Sequence, residues 1–367
     1  MASTKPSLLV TGVSGSLGRR LLPMLSGFHV IGLDTNPPSD VSASLDFEKV
    51  DLGQESSCKR MADILRETRA VGLVHLAFVL DPLRTGILDR DRMWRINVAG
   101  TARVLEAIAE ANRMGGSVEK LIHLSSVAVY GPDLKRPARE NDELKAHTLT
   151  YAVHKKEADL AVQARVKNLG GCDVYILRPH IFAGATVKNY MIDCVRGTAF
   201  GPGRIGRALS RKGKKLPLLL PFGREYLEHK LQFVHVDDVA RLIVWLLARN
   251  KEADPLTIVN VAAKGSPISV AQCAELSGAR IRRLPSVALC RATIDWMWSM
   301  GVTSIPPDSF PYLIGSYTLD TAKLATLLGK DYNQVIRFTN EAALSDSNLG
   351  PEHGHASQQT AVIQKSV

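Results

Sequence analysis

The chain has 367 residues and a mass of 40.0 kDa, with 45% hydrophobic and 22% charged residues, as expected of a soluble globular protein with a full apolar core in one large domain or two. No apolar run approaches a transmembrane span, the start Met1–Pro6 has no apolar signal core, and five scattered cysteines (Cys58, Cys172, Cys194, Cys273, Cys290) form no Cys-x-x-Cys; these features argue against an integral membrane protein and a disulfide scaffold, and for free thiols in a reducing cytoplasm. A net charge of +10 and a pI near 9.4 suit an anionic ligand, a nucleic acid or a membrane surface, but no nucleic-acid motif gathers that charge, and the basic run Arg204–Lys215 reads as a solvated loop.

In chain order, Leu8-Leu9-Val10 reads as a strand, followed at once by Thr11-Gly12-Val13-Ser14-Gly15-Ser16-Leu17-Gly18 and a helix pattern through Leu21, Leu22 and Leu25. Strand, glycine turn and helix are the context that a dinucleotide fingerprint requires. Gly12 permits the tight turn, Gly15 close approach to a pyrophosphate, and Gly18 packing of the helix on the sheet. The phosphates would lie at the helix N-terminus, where free N–H groups favour anions. The next strand, His29–Leu33, ends in Asp34, whose carboxylate can accept from ribose hydroxyls and repels a 2′-phosphate.

Val50-Asp51-Leu52 is expected to close a third strand before a helix over Ser57–Thr68. Gly72–Ala77 forms a fourth strand, and Arg90–Asn112 a long helix that turns Ile96, Ala99, Val104, Leu105 and Ile108 to the core. Leu121–Ser126 is the fifth strand and ends in two hydroxyls. A helix starts at Tyr151, capped by Thr148 or Thr150, and runs to about Asn168; Val174–Leu177 is the sixth strand. Tyr151 and Lys155, four apart, share one helix face, and an ammonium beside a phenol favours the phenolate, which makes Tyr151 an acid or base. Alternating strands and helices predict a parallel sheet covered on both sides.

Beyond Arg178-Pro179 the pattern loosens, with many Gly, Pro and basic residues over 183–232. Leu231–Val236 reads as a strand, Asp237–Ala248 as a helix and Leu256–Val261 as another strand. From Ser266 helices dominate, and Trp296-Met297-Trp298 is expected in the core of a small second domain rather than on a membrane surface. The tail beyond Ser345 is polar and expected to be disordered; His353 and His355 lie in it, and no metal site is predicted there or elsewhere.

Taken together, these pieces resemble the extended short-chain dehydrogenase/reductase superfamily in its NAD-dependent epimerase/dehydratase branch, over about residues 7–345. The resemblance rests on Thr11–Gly18, Asp34, Asp51-Leu52, His75-Leu76-Ala77, Asn97-Val98 with Gly100-Thr101, Ser125-Ser126 with Tyr130-Gly131, Tyr151 with Lys155, Arg178-Pro179 and Phe233–Ala240. It implies an α/β fold, a Rossmann-type doubly wound parallel sheet with a smaller, mostly helical C-terminal substrate domain. Residues 1–182 and 231–263 would bind NAD, 183–230 and 264–345 the substrate, and 346–367 would form the tail. It further implies that Ser126 hydrogen-bonds the substrate oxygen, that Tyr151 exchanges the hydroxyl proton, and that Lys155 binds the nicotinamide ribose and lowers the Tyr151 pKa. Gly12, Gly15, Ser16, Leu17, Gly18 and Asp34 would hold the cofactor, with Asp51 and Leu52 at the adenine, Leu76, Ala77 and Phe78 along it, Asn97 steadying the site and Pro179 flanking the nicotinamide. The two long helices match those that form a homodimer interface in relatives.

The resemblance implies hydride transfer at a secondary alcohol or ketone, with a sugar or sugar-nucleotide epimerase or dehydrogenase as the first reading. The second is a reductase or dehydrogenase of an apolar, steroid-like or flavonoid-like substrate; the third is an NAD-binding sensor without turnover, for which Ser126, Tyr151 and Lys155 would be superfluous. Dehydration is the least favoured chemistry, because Val127 and Ala128, not acids, follow Ser126. Relatives that hold UDP-sugars often carry Arg where this chain has Leu231, between Lys230 and Gln232. A diphosphate prefers a guanidinium fork, so Leu216–Phe222 and Trp296–Met300 are expected to build a more apolar pocket, with Leu231 facing the site.

Overall fold

The computed structural model describes residues 5–39, 45–80, 89–250 and 253–349. Its centre is a seven-stranded sheet of β1 (Ser7–Thr11), β2 (His29–Asp34), β3 (Leu45–Lys49), β4 (Gly72–His75), β5 (Lys120–Leu124), β6 (Asp173–Pro179) and a late strand, Leu256–Val261. The spatial order is Leu256–Val261, β6, β5, β4, β1, β2, β3, and every neighbouring pair is parallel. The chain therefore leaves β1 in one direction for β2 and β3, and returns to β1's other side with β4. That reversal opens a crevice at the C-terminal ends of β1 and β4, where doubly wound sheets bind ligands.

Helices α1 (Ser16–Leu21), α2 (Ser56–Glu67), α3 (Arg90–Trp94), α4 (Gly100–Arg113) and α5 (Thr150–Arg165) follow the strands that precede them. The sheet is apolar on both faces because both are covered. Leu9, Ile31, Leu73, Leu121 and Ile176 meet α2, α4 and α5 on one face; Leu8, Val10, Val74 and Ile122 meet α1 and the later helix Val236–Leu247 on the other. The third strand ends at Lys49, before Val50-Asp51-Leu52, and the fourth and fifth end two residues earlier than predicted. The predicted single helix over Arg90–Asn112 is interrupted by a π turn, Arg95–Ala99. This wider turn shifts the helical phase, leaving Ile96 and Ala99 half-buried and turning Asn97 fully inward, while Val104, Leu105 and Ile108 reach the core as expected.

The remaining elements are β7 (Ile181–Ala183), α6 (Tyr190–Arg196), α7 (Arg204–Arg211), β8 (Leu218–Pro221), α8 (Glu225–Glu228), β9 (Lys230–Leu231), β10 (Phe233–His235), α9 (Val236–Leu247), β11 (Leu256–Val261), β12 (Ile268–Ser269), α10 (Val270–Ser277), β13 (Ile281–Leu284), α11 (Val287–Ser299), α12 (Phe310–Ile314), α13 (Ala322–Leu328), α14 (Tyr332–Val335) and α15 (Asn340–Asp346). Short pairs β7–β10, β8–β13 and β9–β12 frame a second core, which takes Leu218, Leu220, Leu231, Ile268 and Tyr312 and also Val127–Tyr130 and Leu149 from the segment after β5. The basic run predicted as a loop is largely helix α7, exposed on most of its positions. Trp296 is not core: it is 58% exposed, because α11 buries Cys290 and Ile294, and a residue two positions further lies across the helix. Order extends past Ser345: Ser347 is buried, and its Oγ accepts from the Gly184 amide at 2.8 Å. His353 and His355 lie outside the described residues.

Candidate active site

The glycine turn lies at the C-terminal end of β1. Gly12 has φ +72°, and its amide donates to the Leu33 carbonyl at 2.8 Å, bending the chain across the end of β2. A Cβ there would stand 2.4 Å from the Ala77 nitrogen, so glycine also lets the end of β4 close on the turn. At Gly18 a Cβ would meet the Val13 carbonyl at 2.4 Å; the contact is with the turn, not with the sheet as expected. A Cβ at Gly15, the N-cap residue of α1, would meet only the Gly12 carbonyl, at 3.2 Å, which leaves its other side open. Ser16 and Leu17 begin α1 and line the cleft.

Asp34 closes β2 beside this turn. Its Oδ2 accepts from the Ser14 amide at 3.1 Å and its Oδ1 from the Thr35 amide at 2.7 Å. The Val50 amide donates to the Asp34 carbonyl at 2.9 Å, which brings the Asp51 turn alongside, and Asp51 Oδ1 accepts from the Gly53 amide at 2.8 Å. Leu52 is buried in the core against Gly100 and backs the site from within. Past β4, Leu76, Ala77 and Phe78 are half-buried along the crevice. Asn97 is fully buried: its Oδ1 accepts from the Val79 amide at 2.7 Å and its Nδ2 donates to the Val79 carbonyl at 3.1 Å, so the π turn anchors the loop after β4.

Ser126 follows β5 and caps a single 3-10 turn, Val127–Tyr130, its Oγ accepting from the Ala128 amide at 3.2 Å. Ser126 and Tyr151 line the same cleft. Burial pushes the Tyr151 phenol up to about 12, and the Ser126 hydroxyl opposes the rise only in part. The predicted lowering by Lys155 is absent for a geometric reason. The Lys155 Nζ donates to the Leu124 carbonyl at 2.5 Å and lies 3.6 Å from the Phe78 ring centroid, while that ring meets Tyr151 edge-on at 5.7 Å. Burial brings the ammonium down to about 7, with Asp159 pulling it back up. Neither predicted threonine caps the helix by its own side chain: Leu149 is the N-cap residue, and Asp308 Oδ2 accepts from both the Thr150 amide at 3.3 Å and its Oγ1 at 3.2 Å.

Behind these residues lies a buried ionic network that sequence reasoning missed. Asp159, one turn after Lys155, accepts from Ser125 Oγ at 2.5 Å and from Arg178 Nε and Nη2 at 2.9 Å each. Arg178 also donates to Tyr130 Oη at 2.8 Å, and Tyr130 donates to Asn260 Oδ1 at 2.7 Å. The network thus backs Ser126, Lys155 and Pro179 through their sequence neighbours. Position i+4 from Lys155 was the available signal; the partner Arg178 is 19 residues away and gave none.

A cavity of about 160 Å³ opens here, lined by Ser126, Tyr151, Pro179, Met191, Tyr312 and Tyr317 among others. A second, of about 440 Å³, shares Leu80, Leu149, Tyr151 and Tyr190 with it. The walls differ from the prediction: Leu218, Leu220 and Leu231 pack in the second core, Phe222 is 57% exposed, and of the Trp296–Met300 run Trp298 faces the second cavity. Leu231 is inward because β9 pairs with β12, placing it opposite Ile268.

A seven-stranded parallel sheet with a glycine turn at its switch point and a Ser-Tyr-Lys group on its C-terminal edge defines a dinucleotide-dependent short-chain dehydrogenase/reductase fold. The model of the NAD dependent epimerase/dehydratase family matches residues 8–262, and the chain belongs to that family. The family's cofactor is NAD, and the open side of Gly15 and the fixed carboxylate of Asp34 fit it. The uncharacterized protein y4nG of Sinorhizobium fredii is 26% identical over 238 residues, 63% of this chain and 51% of that one. UDP-glucose 4-epimerase 4 of Oryza sativa subsp. japonica is 28% identical over 161 residues, 40% of this chain and 41% of that one. The chain thus spans about half the length of the curated relatives it matches, or less. The crystal structure of a Thermus thermophilus UDP-glucose 4-epimerase complexed with NAD superposes with a TM-score of 0.66 at 19% identity, covering 96% of this chain and 99% of that one, a likeness of fold. Among the described residues no helix is long and apolar enough to cross a membrane.

Proposed function

We propose that this chain is an NAD-dependent epimerase or dehydrogenase acting at a secondary alcohol or ketone, with Ser126, Tyr151 and Lys155 as its reacting group. The observation that carries this reading is that Ser126 and Tyr151 line one cleft at the sheet's switch point, with Lys155 one helical turn after Tyr151. Bound NAD supplies the hydride acceptor and donor. Gly12, Gly15, Ser16, Leu17 and Gly18 would receive its pyrophosphate, Asp34 its adenosine ribose and Asp51 its adenine, with Leu76, Ala77 and Phe78 along it and Pro179 flanking its nicotinamide.

A phenol raised to about 12 holds its proton at neutral pH, so Tyr151 rests as the acid that protonates a carbonyl oxygen. To act as base it must be brought down, and Lys155 is the cation within one helical turn that can swing from the Leu124 carbonyl to do so. Ser126 orients the substrate oxygen. For the substrate, the family and the rice relative support a sugar or sugar nucleotide. The apolar wall of Val127, Ala128, Met191 and Tyr312 and the burial of Leu231 favour the second reading, an apolar ketone or alcohol.

Purified protein analysed by native mass spectrometry separates the two chemistries: retained NAD supports epimerisation, and an empty site supports a dehydrogenase that exchanges its cofactor. Tyr151→Phe tests the group itself, with a UDP-sugar, a sugar phosphate and an apolar secondary alcohol as probes. General acid–base help is worth roughly 10²–10⁴-fold, so turnover, followed by NADH absorbance for net oxidation and by product analysis for epimerisation, should slow by at least that factor while NAD affinity stays unchanged. Rates near those of the parent protein would refute the assignment. A homodimer through α4 and α5 completes the proposal, supported by Trp94 and Leu160, 45% and 47% exposed on or beside these helices; sedimentation velocity tests it.

A further inference from the structure

The chain's positive charge is concentrated in one lobe that hydride transfer does not use. Residues 194–224 and 276–307 hold twelve arginines and lysines against one acid, Asp295, so the remainder of the chain is close to neutral. The acids that flank these stretches are Asp193, Glu225, Glu275 and Asp308. The fold joins the two stretches: β8 pairs with β13, the Gly203 amide donates to the Gly301 carbonyl at 2.8 Å, and Lys215 Nζ donates to the Ser277 carbonyl at 2.8 Å. Gly206 lets α7 lie against the turn after α11, since a Cβ there would stand 2.8 Å from the Gly301 carbonyl. From this contact α7 exposes Arg204, Arg207 and Arg211, followed by Lys212 and Lys214. None of these five cations has a side-chain hydrogen-bond or ion-pair partner among the described residues.

The same lobe exposes apolar side chains. Seven of the eleven large hydrophobic residues exposed among the described residues lie in these two stretches. Leu289 and Trp296 are seven apart and Trp296 and Met300 four apart, so the three form an exposed stripe along one face of α11. Ile205, exposed on α7, and Met300 each lie within two residues of the Gly203–Gly301 contact, which brings the stripe up to the basic helix. No carboxylate interrupts it: the acid of α11, Asp295, is half-buried, with Oδ1 turned away from solvent. Apolar patches rimmed by charge mark surfaces that meet another phase or partner.

We propose that this lobe is a docking surface for an anionic lipid bilayer, on which the protein sits peripherally. The cations meet the headgroup charge, while Leu289, Trp296, Met300 and Ile205 enter the boundary between headgroups and acyl chains, where tryptophan is favoured. Unpaired cations around an apolar stripe are complementary to a surface that is anionic outside and hydrocarbon beneath. A nucleic acid would also use the cations and could stack on Trp296, but its hydrated phosphodiester offers Leu289, Met300 and Ile205 no apolar partner. The attachment is reversible and weakens with salt. It is independent of the reaction assigned to Tyr151.

The test is co-sedimentation of the NAD-loaded full chain with vesicles of phosphatidylcholine, alone or mixed with phosphatidylglycerol. Binding should appear with the anionic mixture, fall in high salt, and be roughly tenfold weaker or worse with the neutral lipid. A basic side chain near an anionic surface is worth roughly fivefold in binding, so Arg207→Gln, Arg211→Gln and Lys214→Gln together should lower it roughly a hundredfold. Trp296→Ala should lower it roughly tenfold, because burial of the ring at the interface is lost. All four substitutions alter exposed side chains, so thermal melts and NAD affinity should match those of the parent protein. Lipids brominated on the upper acyl chain should quench tryptophan emission in the parent protein and much less in Trp296→Phe. No binding to the anionic mixture, equal binding to the neutral lipid, unchanged binding in the triple variant, or undiminished quenching in Trp296→Phe would overturn the proposal. So would a single-stranded RNA oligonucleotide that binds more tightly than the vesicles and displaces the protein from them.

Discussion

Replacing Asp159 with asparagine keeps the shape of the side chain and removes its charge. In the parent protein this carboxylate is fully buried and accepts from Ser125, from Gln163 at 2.7 Å, and twice from Arg178, itself 1% exposed. The asparagine leaves a buried guanidinium whose remaining partners are the Tyr130 hydroxyl and the Glu140 carbonyl, both neutral. Breaking a buried pair by removing one partner costs roughly 3–5 kcal/mol. The amide oxygen retains part of the bonding, which points to the lower end, about 3 kcal/mol. With a urea dependence of about 1–3 kcal/mol per molar, the unfolding midpoint should fall by about 1 M or more. Equilibrium urea unfolding of the cofactor-free protein reads this directly. Asp159→Leu with Arg178→Met should recover most of the loss, because a buried pair exchanged for apolar side chains of similar volume is often neutral. A midpoint shift of a few tenths molar in Asp159→Asn, or a double variant less stable than the single one, would refute the reasoning.

NAD should bind more tightly than NADP, because Asp34 presents a fixed carboxylate beside the glycine turn, and Asp34→Ala with Thr35→Arg should shift the preference towards NADP in fluorescence titrations; equal affinity of the parent protein for both would contradict the placement. The buried Lys155 should make the cofactor-free protein more stable as pH rises from about 7 towards 10: its folded pKa, near 7, lies below the ordinary value of about 10.4, so over that window the unfolded chain binds the extra proton. Thermal melts across this range should show the rise in the parent protein, and Lys155→Met should flatten it.

Sequence alone determined the parts of this protein whose geometry is local. The β1–turn–α1 unit, the place of Asp34 at a strand end and the four-residue step from Tyr151 to Lys155 all follow from backbone periodicity and glycine stereochemistry. Alternating apolar segments implied the parallel sheet, and the buried faces of β1, β4, β5 and β6 agree. What only the tertiary structure decided is where each side chain finds its partner. Lys155 turns to a carbonyl at the end of β5 and to Phe78, so the pKa logic of two neighbours on one helix face gives way to burial. Asp308 caps a helix that begins 158 residues earlier, and Arg90 and Arg291 line one cavity although nothing in their sequence surroundings pairs them. Leu231 was expected at the site and Trp296 in the core; a two-residue strand pairing buries the first, and a helix that already spends its inward face on Cys290 and Ile294 exposes the second. Periodicity gives the phase of each element along the chain, but the direction from which the next element packs comes from contacts between residues far apart in sequence, 31 for Lys155 with Leu124 and 158 for Thr150 with Asp308, and those settle which groups are desolvated, capped or left without a partner.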